Sequence, residues 1–172
     1  MGLSYFIFNT SLGWMGLMDS LDGLRRLVLP QPSSEQVQRI LGESGSGYNT
    51  GILCEAGTSY LNGLAERLRR YLSGEPLTFP DRLDLSWATA FQRSVWETTQ
   101  SIPYGETRSY IWVASKMGMP GAARAVGQAL GRNRLPIIIP CHRVIRSDGG
   151  TGGFSDGKSW KRRLLSIESK AI

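Results

Sequence analysis

Between Ser73 and Asp84 the chain carries Gly74, Pro76 and Pro80, and this breaker-rich stretch separates a part that opens on strands from a mostly helical one. Upstream, Tyr5 and Ile7, then Trp14, Gly16 and Met18, alternate with small or polar neighbours, and Leu24 to Leu29 forms an apolar-basic run ending at Pro30. A period of two puts alternate side chains on one face, so these opening segments are read as strands. Downstream the apolar residues recur at helical spacing. Opening strands before the breakers and helices after them predict an α/β chain in two parts. A small N-terminal sheet-plus-helix scaffold domain occupies residues 1–80, and a mostly helical domain occupies residues 85–172. A length of 172 residues accommodates both.

Local signals sharpen this outline. Ser33 or Ser34 caps a short helix with Val37, Ile40 and Leu41 on one face, and Gly42 to Gly51 reads as a flexible loop. Leu61, Leu64, Leu68 and Leu72 define a helix over 60–72. In the second part a helix over 88–100 places Phe91, Val95 and Thr99 together. Ser109 caps a short helix bearing Ile111, Val113, Ala114 and Met117. Gly118-Met119-Pro120 turns the chain into a helix over 121–131, with Ala123, Val126 and Leu130 inward. Two short helices joined by such a turn fit a helix-turn-helix, and equally any helical hairpin. Ile137-Ile138-Ile139 reads as a short buried strand and Gly149 to Gly157 as a mobile loop. Trp160 to Ser169 forms a last helix with Trp160, Leu164 and Ile167 inward.

Charge is segregated along the same divide. Residues 1–85 hold 7 basic and 9 acidic side chains and residues 86–172 hold 13 and 5, so the net +6 splits into −2 and +8. A basic second half points to a polyanionic partner, DNA or RNA, against the plainer alternative of a basic solvated surface. No apolar stretch approaches the roughly 18 residues of a membrane helix. The N-terminus lacks a basic flank, and Asn9, Thr10, Ser11 and Asp19 interrupt its apolar residues, so a secretory signal is not expected. Two cysteines are too few for a disulfide scaffold. The expected setting is cytoplasmic, or nuclear in a eukaryote.

The sole histidine follows one of the two cysteines in Pro140-Cys141-His142-Arg143. A thiolate is a strong nucleophile, and an imidazole beside it can take its proton. Pro140 suits the start of a helical turn, which would bring amide hydrogens near Cys141. Adjacent side chains diverge, so the proton is expected to pass through water. An imidazole base needs a partner on its other nitrogen, and Glu168 is the acid in this half best placed for that part. A buried structural thiol beside a satisfied turn histidine is the plainer alternative. Cys54 has no such neighbours and reads as core. One histidine and two distant cysteines supply no zinc pattern, and the glycines at 149, 150, 152 and 153 do not form a phosphate loop. No cofactor or metal is expected.

The segment Ile137-Ile138-Ile139-Pro140-Cys141-His142-Arg143-Val144 resembles the signature of the O6-alkylguanine-DNA alkyltransferases, or methylated-DNA–protein-cysteine methyltransferases. The likeness extends upstream through Phe91-Gln92, Val95-Trp96, Ile102-Pro103-Tyr104-Gly105-Glu106-Thr107, Ser109-Tyr110 and Ala123-Arg124-Ala125-Val126-Gly127. Downstream it takes in Gly152-Gly153-Phe154-Ser155, Lys161, Leu164-Leu165 and Glu168. It spans residues 88–168, whereas the first 80 residues match only in length and in the opening hairpin.

The resemblance implies a DNA-repair methyltransferase that acts once. Cys141 would accept the alkyl group from O6-alkylguanine, and from O4-alkylthymine, in double-stranded DNA. His142 would take the thiol proton, Glu168 would orient the imidazole, and Asn133 would brace the segment by hydrogen bonding. A base inside a duplex must be flipped out to react. Arg124, on the second helix of a (winged) helix-turn-helix, would fill the gap, and Tyr110 would crowd the target phosphate. Small residues including Ala123 and Gly127 would let that helix approach the minor groove. Val144 and Ser155 would bind the guanine edge and Phe154 would wall the pocket. The protein is expected to be a monomer. This chain departs from the family pattern in having Arg134 after Asn133, where proline is frequent, and Phe154 where tyrosine is frequent. It also lacks N-terminal zinc ligands and cysteine-rich phosphotriester-repair segments. A lesion-sensing or regulatory DNA-binding protein without chemistry is the competing class, and it would not need Cys141.

Overall fold

The computed structural model describes residues 3–42, 52–53, 59–154 and 157–169. The loop expected from Gly42 to Gly51 falls, past Gly42, outside the described residues, and so do Cys54 and Ser155. The chain divides into two compact units, Met1–Ser73 with Leu77–Leu85 and Gly74–Pro76 with Ser86–Ile172. Among the described residues no helix is long and apolar enough to cross a membrane.

The first unit is a sheet covered by helices. Strands β1 (Ser4–Thr10), β2 (Gly13–Ser20) and β3 (Gly23–Gln31) form an antiparallel meander, followed by helix α1 (Ser34–Gly42). The short β4 (Ile52–Leu53) pairs parallel with β1, giving the order β3-β2-β1-β4. Helix α2 (Ser59–Leu72) completes the unit. Pro30 does not end its strand, because β3 lies at the sheet edge where a missing amide donor is tolerated. Ser33 is the capping serine of α1, its hydroxyl accepting from the Gln36 amide at 3.3 Å. The buried Val37 and Leu41 of α1 pack with Met18 and Val28. This approach depends on Gly16, where a Cβ would stand 2.5 Å from Val37 Cγ1 and 2.9 Å from Leu41 Cδ1. The stretch read as a linker is tied down in part. Leu24 N donates to Arg82 O at 2.8 Å, Asp84 N donates to Leu24 O at 2.9 Å, and Arg67 holds both oxygens of Asp81.

The second unit is mostly helical. Helix α3 (Ala90–Gln100) starts at a capping box in which Thr89 and Gln92 each accept the other's backbone amide. Its buried face is Val95, Trp96 and Thr99, with Phe91 only half-buried, because the wide Trp96 ring turns inward. Strand β5 (Arg108–Ser109) leads into α4 (Tyr110–Lys116), and the Ser109 hydroxyl caps α4 by accepting from Trp112 N at 3.0 Å. The helix stops in a Schellman turn. Gly118, at φ +74°, donates to Ser115 O and Met119 N donates to Ala114 O. A single 3₁₀ turn at Pro120–Ala122 opens α5 (Ala123–Gly131). Trp96 Nε1 donates to Ala129 O at 3.0 Å, joining α3 to α5. Val126, Ala129 and Leu130 are the buried residues of α5, and Ala123 is half-buried rather than inward.

The last elements are β6 (Val144–Ile145), which pairs parallel with β5, and helix α6 (Lys158–Ser169). The sequence placed Trp160, Leu164 and Ile167 inward. The buried set is Lys161, Leu164 and Glu168, and Trp160 and Ile167 are half-buried. The helix is rotated toward its charged residues because each finds polar partners inside. The fold is therefore mixed α/β, with a small N-terminal sheet and a helical C-terminal unit.

Candidate active site

The thiol sits in a run of turns that one asparagine holds together. Ile137-Ile138-Ile139 is buried but is not a strand: Ile139 N donates to Leu135 O at 2.9 Å, and Ile137 has φ +74°. That conformation costs a branched side chain on the order of 1–3 kcal/mol. An apolar run goes into a sheet to satisfy its backbone polar groups; here the buried Asn133 bridges the two ends of the turn instead. Its Oδ1 accepts from Leu135 N at 2.9 Å, while its Nδ2 donates to Ile139 O at 2.9 Å and to Cys141 Sγ at 3.1 Å. Pro140, at φ −79° and ψ 61°, forms an inverse γ-turn closed by Cys141 N donating to Ile139 O at 2.7 Å. Cys141 then begins a single 3₁₀ turn, Cys141–Arg143. Cys141 is a free thiol only 3% exposed.

His142 is fully buried, with Nε2 2.7 Å from Glu168 Oε1. Burial holds the imidazole below its ordinary 6.5 and therefore neutral, against the pull of Glu168. Burial opposes ionisation of Glu168 as well, but hydrogen bonds from His142 and Arg143 prevail and hold that carboxyl at about 2. Arg143 Nε donates to Oε2 at 3.0 Å, Nη2 donates to Oε1 at 2.9 Å, and the Gly105 amide adds a bond to Oε2 at 3.0 Å. Arg143 Nη1 is itself anchored on Ile102 O at 2.6 Å. The carboxylate is thus neutralised by arginine and its histidine is left uncharged, a state able to accept a proton.

Lys161 is the second buried cation. Its Nζ donates to Val144 O at 2.6 Å, to Gly153 O at 3.3 Å and to Tyr110 Oη at 3.4 Å. Burial brings the ammonium down to about 8, against the opposing field of the Cys141 sulfur. Burial first, and then that sulfur, raise the Tyr110 phenol above its ordinary value. The Tyr110 ring is fitted between two glycines. A Cβ on Gly127 would lie 3.6 Å from Tyr110 Cε1, and one on Gly152, at φ +68°, would lie 2.4 Å from Tyr110 Oη.

A hollow of about 950 Å³ opens beside this cluster, lined by Tyr110, Ala123, Arg124, Gly127 and Phe154 among others. Arg124 is exposed on α5. The structure therefore forms two groups: Cys141, His142, Glu168 and Asn133 around the thiol turn, and Tyr110, Ala123, Arg124, Gly127 and Phe154 around the hollow. Val144 is buried, with its amide on Cys141 O and its carbonyl engaged by Lys161; like Cys141 it does not line the hollow. Ser155 lies outside the described residues. Sequence reasoning gave no role to Arg143 or Lys161. The signal for Lys161 was its place seven residues before Glu168 on one face of α6, which a count of apolar residues alone passes over; Arg143 had no such signal. Among the described residues no group of three His, Cys, Asp or Glu side chains could hold a metal ion.

Comparison with known proteins places this geometry among relatives. Residues 90–170 match the model described as 6-O-methylguanine DNA methyltransferase, DNA binding domain. A methylated-DNA–protein-cysteine methyltransferase of Mycolicibacterium paratuberculosis is 48% identical over 108 residues, covering 63% of this chain and 65% of that protein. The chain thus spans slightly under two thirds of that mycobacterial relative. The constitutive methyltransferase of that name from Bacillus subtilis is 37% identical over 165 residues, 95% of this chain and 94% of the relative. Among solved structures, Mycobacterium tuberculosis OGT in complex with DNA superposes with a TM-score of 0.80 at 34% identity, covering 98% of this chain and 94% of that one.

Proposed function

The chain belongs to the methylated-DNA–protein-cysteine methyltransferase family, and from that premise we propose that it repairs DNA by taking the alkyl group of O6-alkylguanine, and of O4-alkylthymine, onto Cys141. The Cys141 sulfur, as thiolate, attacks the alkyl carbon in line. The carbon–sulfur bond forms as the carbon–O6 bond breaks, and O6 keeps the electron pair. The thiol proton passes by way of water to the neutral His142, and a proton returns to the guanine ring to complete the unmodified base. The product thioether has no leaving route, so each molecule reacts once.

One observation carries this reading. Asn133 donates to Cys141 Sγ at 3.1 Å, and the next residue, His142, is bonded to Glu168 at 2.7 Å. A donor on sulfur favours its anionic form, and a buried neutral imidazole is a fit acceptor for its proton. Because Cys141 is nearly sealed, the alkyl carbon has to be brought inward to the sulfur rather than met at the surface. A flipped nucleotide does this, at a cost of a few kcal/mol in stacking and pairing. In this account α4 and α5 act as a helix-turn-helix in the minor groove of double-stranded DNA. Arg124 fills the vacated stack, Tyr110 crowds the target phosphate, and the backbone near Val144 and the side chain of Ser155 read the guanine edge. The protein works as a monomer, without cofactor, where the cell keeps its DNA.

The test is a duplex carrying one O6-methylguanine, mixed with protein and followed by intact mass and peptide mapping. The expected result is a gain of one methyl group on Cys141 and none in Cys141→Ala. Demethylation by the variant, or binding of the lesion with no mass gain in the wild type, overturns it. The second outcome would make the protein a sensor of lesions.

A further inference from the structure

Four cations on three elements face the hollow: Arg124 on α5, Arg146 just past β6, and Lys158 and Arg162 one turn apart on α6. No carboxylate is among its described lining residues. Arg146 is partly satisfied by Asp148, at 3.0 Å between exposed groups. Lys158 and Arg162 stand outside α4 and α5 and line the same hollow as Arg124.

The start of α6 is unusual in its charge. Its first turn contains no acid and opens on Lys158, followed by Lys161, Arg162 and Arg163. The positive end of a helix favours anions and disfavours cations by a few tenths of a kcal/mol or more each. A chain that keeps cations there forgoes stability, and an anion brought to the same place would be held by the side chains and by the amides of the helix start together.

We infer that Lys158 and Arg162 form a second DNA grip, binding backbone phosphates of the strand whose nucleotide enters the hollow that they line together with Arg124. This rests on the DNA-repair reading above and extends it to a surface that the helix-turn-helix does not include. The grip is sequence-independent: phosphate oxygens are the same beside every base, so it positions the duplex without reading it. Arg162 supplies a planar fork and Lys158 a point charge, so both tolerate a backbone that shifts as the nucleotide rotates.

The experiment measures binding of an unmodified duplex oligonucleotide to the full chain across a KCl series of about 50–200 mM. The proteins are the wild type, Lys158→Gln, Arg162→Gln and the double variant. Each neutralised phosphate contributes about 0.9 to the slope of log K against log salt, so each single variant should flatten it by about 0.9 and the double by about 1.8. A slope equal to that of the wild type in both single variants overturns the proposal. Reaction of the same proteins with free O6-benzylguanine reports on the thiol without DNA. A loss there as large as the loss on duplex also overturns it, since the residues would then act on the site rather than on the backbone. Failure of the wild type to accept an alkyl group would sink the repair reading, and the salt slopes would still decide the grip.

Discussion

Arg143 holds both carboxylate oxygens of Glu168, with Nε 3.0 Å from Oε2 and Nη2 2.9 Å from Oε1, and the pair is buried. This pairing lets His142 stay neutral beside a charged carboxylate. Without Arg143 the cheapest way to bury Glu168 would be to protonate it or to charge the imidazole. Burial keeps the imidazole neutral, and the charge of a guanidinium bonded to its carboxylate partner adds to that effect.

The first prediction is an acid-side loss of stability traceable to Glu168. Its folded-state pKa, about 2, lies below the ordinary 4.5, so the stability it supplies is fully present above 4.5 and is lost as pH falls toward 2. The contribution is on the order of 3 kcal/mol. Urea melts from pH 6 to 2 should show a shallower decline in Glu168→Gln than in the wild type. Parallel curves would mean that the carboxyl is not held ionised by its neighbours.

Asn133→Ala should act on both stability and chemistry. Three hydrogen bonds disappear, two of them to buried backbone groups, at a cost of roughly 1–3 kcal/mol for each group left unsatisfied. Loss of the donor on Sγ should also move the rise of iodoacetamide reactivity at Cys141 to higher pH. A variant that is destabilised but keeps the wild-type pH profile would reduce Asn133 to a backbone brace.

Lys161 gives a pH signature of the same sign at the alkaline end. Its folded-state pKa, about 8, lies below the ordinary 10.5, so the unfolded chain binds the extra proton between those values. Stability contributed at this site therefore rises as pH climbs from about 8 toward 10.5, and Lys161→Met should remove that rise. The same variant should slow alkyl transfer near neutral pH, where the ammonium is charged and faces the sulfur. A transfer rate unchanged at pH 7 would show that the charge does not support the thiolate.

Gly152→Ala tests the fit around Tyr110. The new Cβ would lie 2.4 Å from Tyr110 Oη, at a φ of +68° that side chains resist, so ring or loop must move. Methyl transfer from duplex DNA should fall roughly tenfold, the effect of about 1.4 kcal/mol in a barrier. Reaction with free O6-benzylguanine should fall less. Equal loss on both substrates would place the damage at the thiol instead of at nucleotide rotation.

The parts of the molecule legible in sequence are those governed by local rules. Alternation at Tyr5, Ile7, Trp14 and Met18 located the meander, and the hydroxyls of Ser33 and Ser109 cap the helices assigned to them. The Cys141-His142 adjacency marks the thiol turn, and Glu168 is the acid the sequence offers to His142; the two lie 2.7 Å apart. The remainder was hidden because it depends on partners distant in sequence. Ile137–Ile139 reads as a strand by composition, and a buried turn is tolerated there because Asn133, Leu135 and Gln100 meet its backbone groups. Arg143 and Lys161 look like surface cations until Ile102, Val144 and Gly153 supply carbonyls inside. The inward face of α6 was misjudged for the same reason: apolar spacing points to Trp160 and Ile167, while paired charges decide the rotation.

The smallest sheet in the molecule has a mechanical meaning. Arg108 and Ser109 pair in register with Val144 and Ile145, so the residue that caps α4 is stitched to the strand emerging directly from the thiol turn. On the proposed repair reading, a duplex docked on α4 would load, within four residues, the backbone behind the sulfur. Gripping the substrate and aiming the nucleophile share one lever, and loosening that short seam would uncouple them.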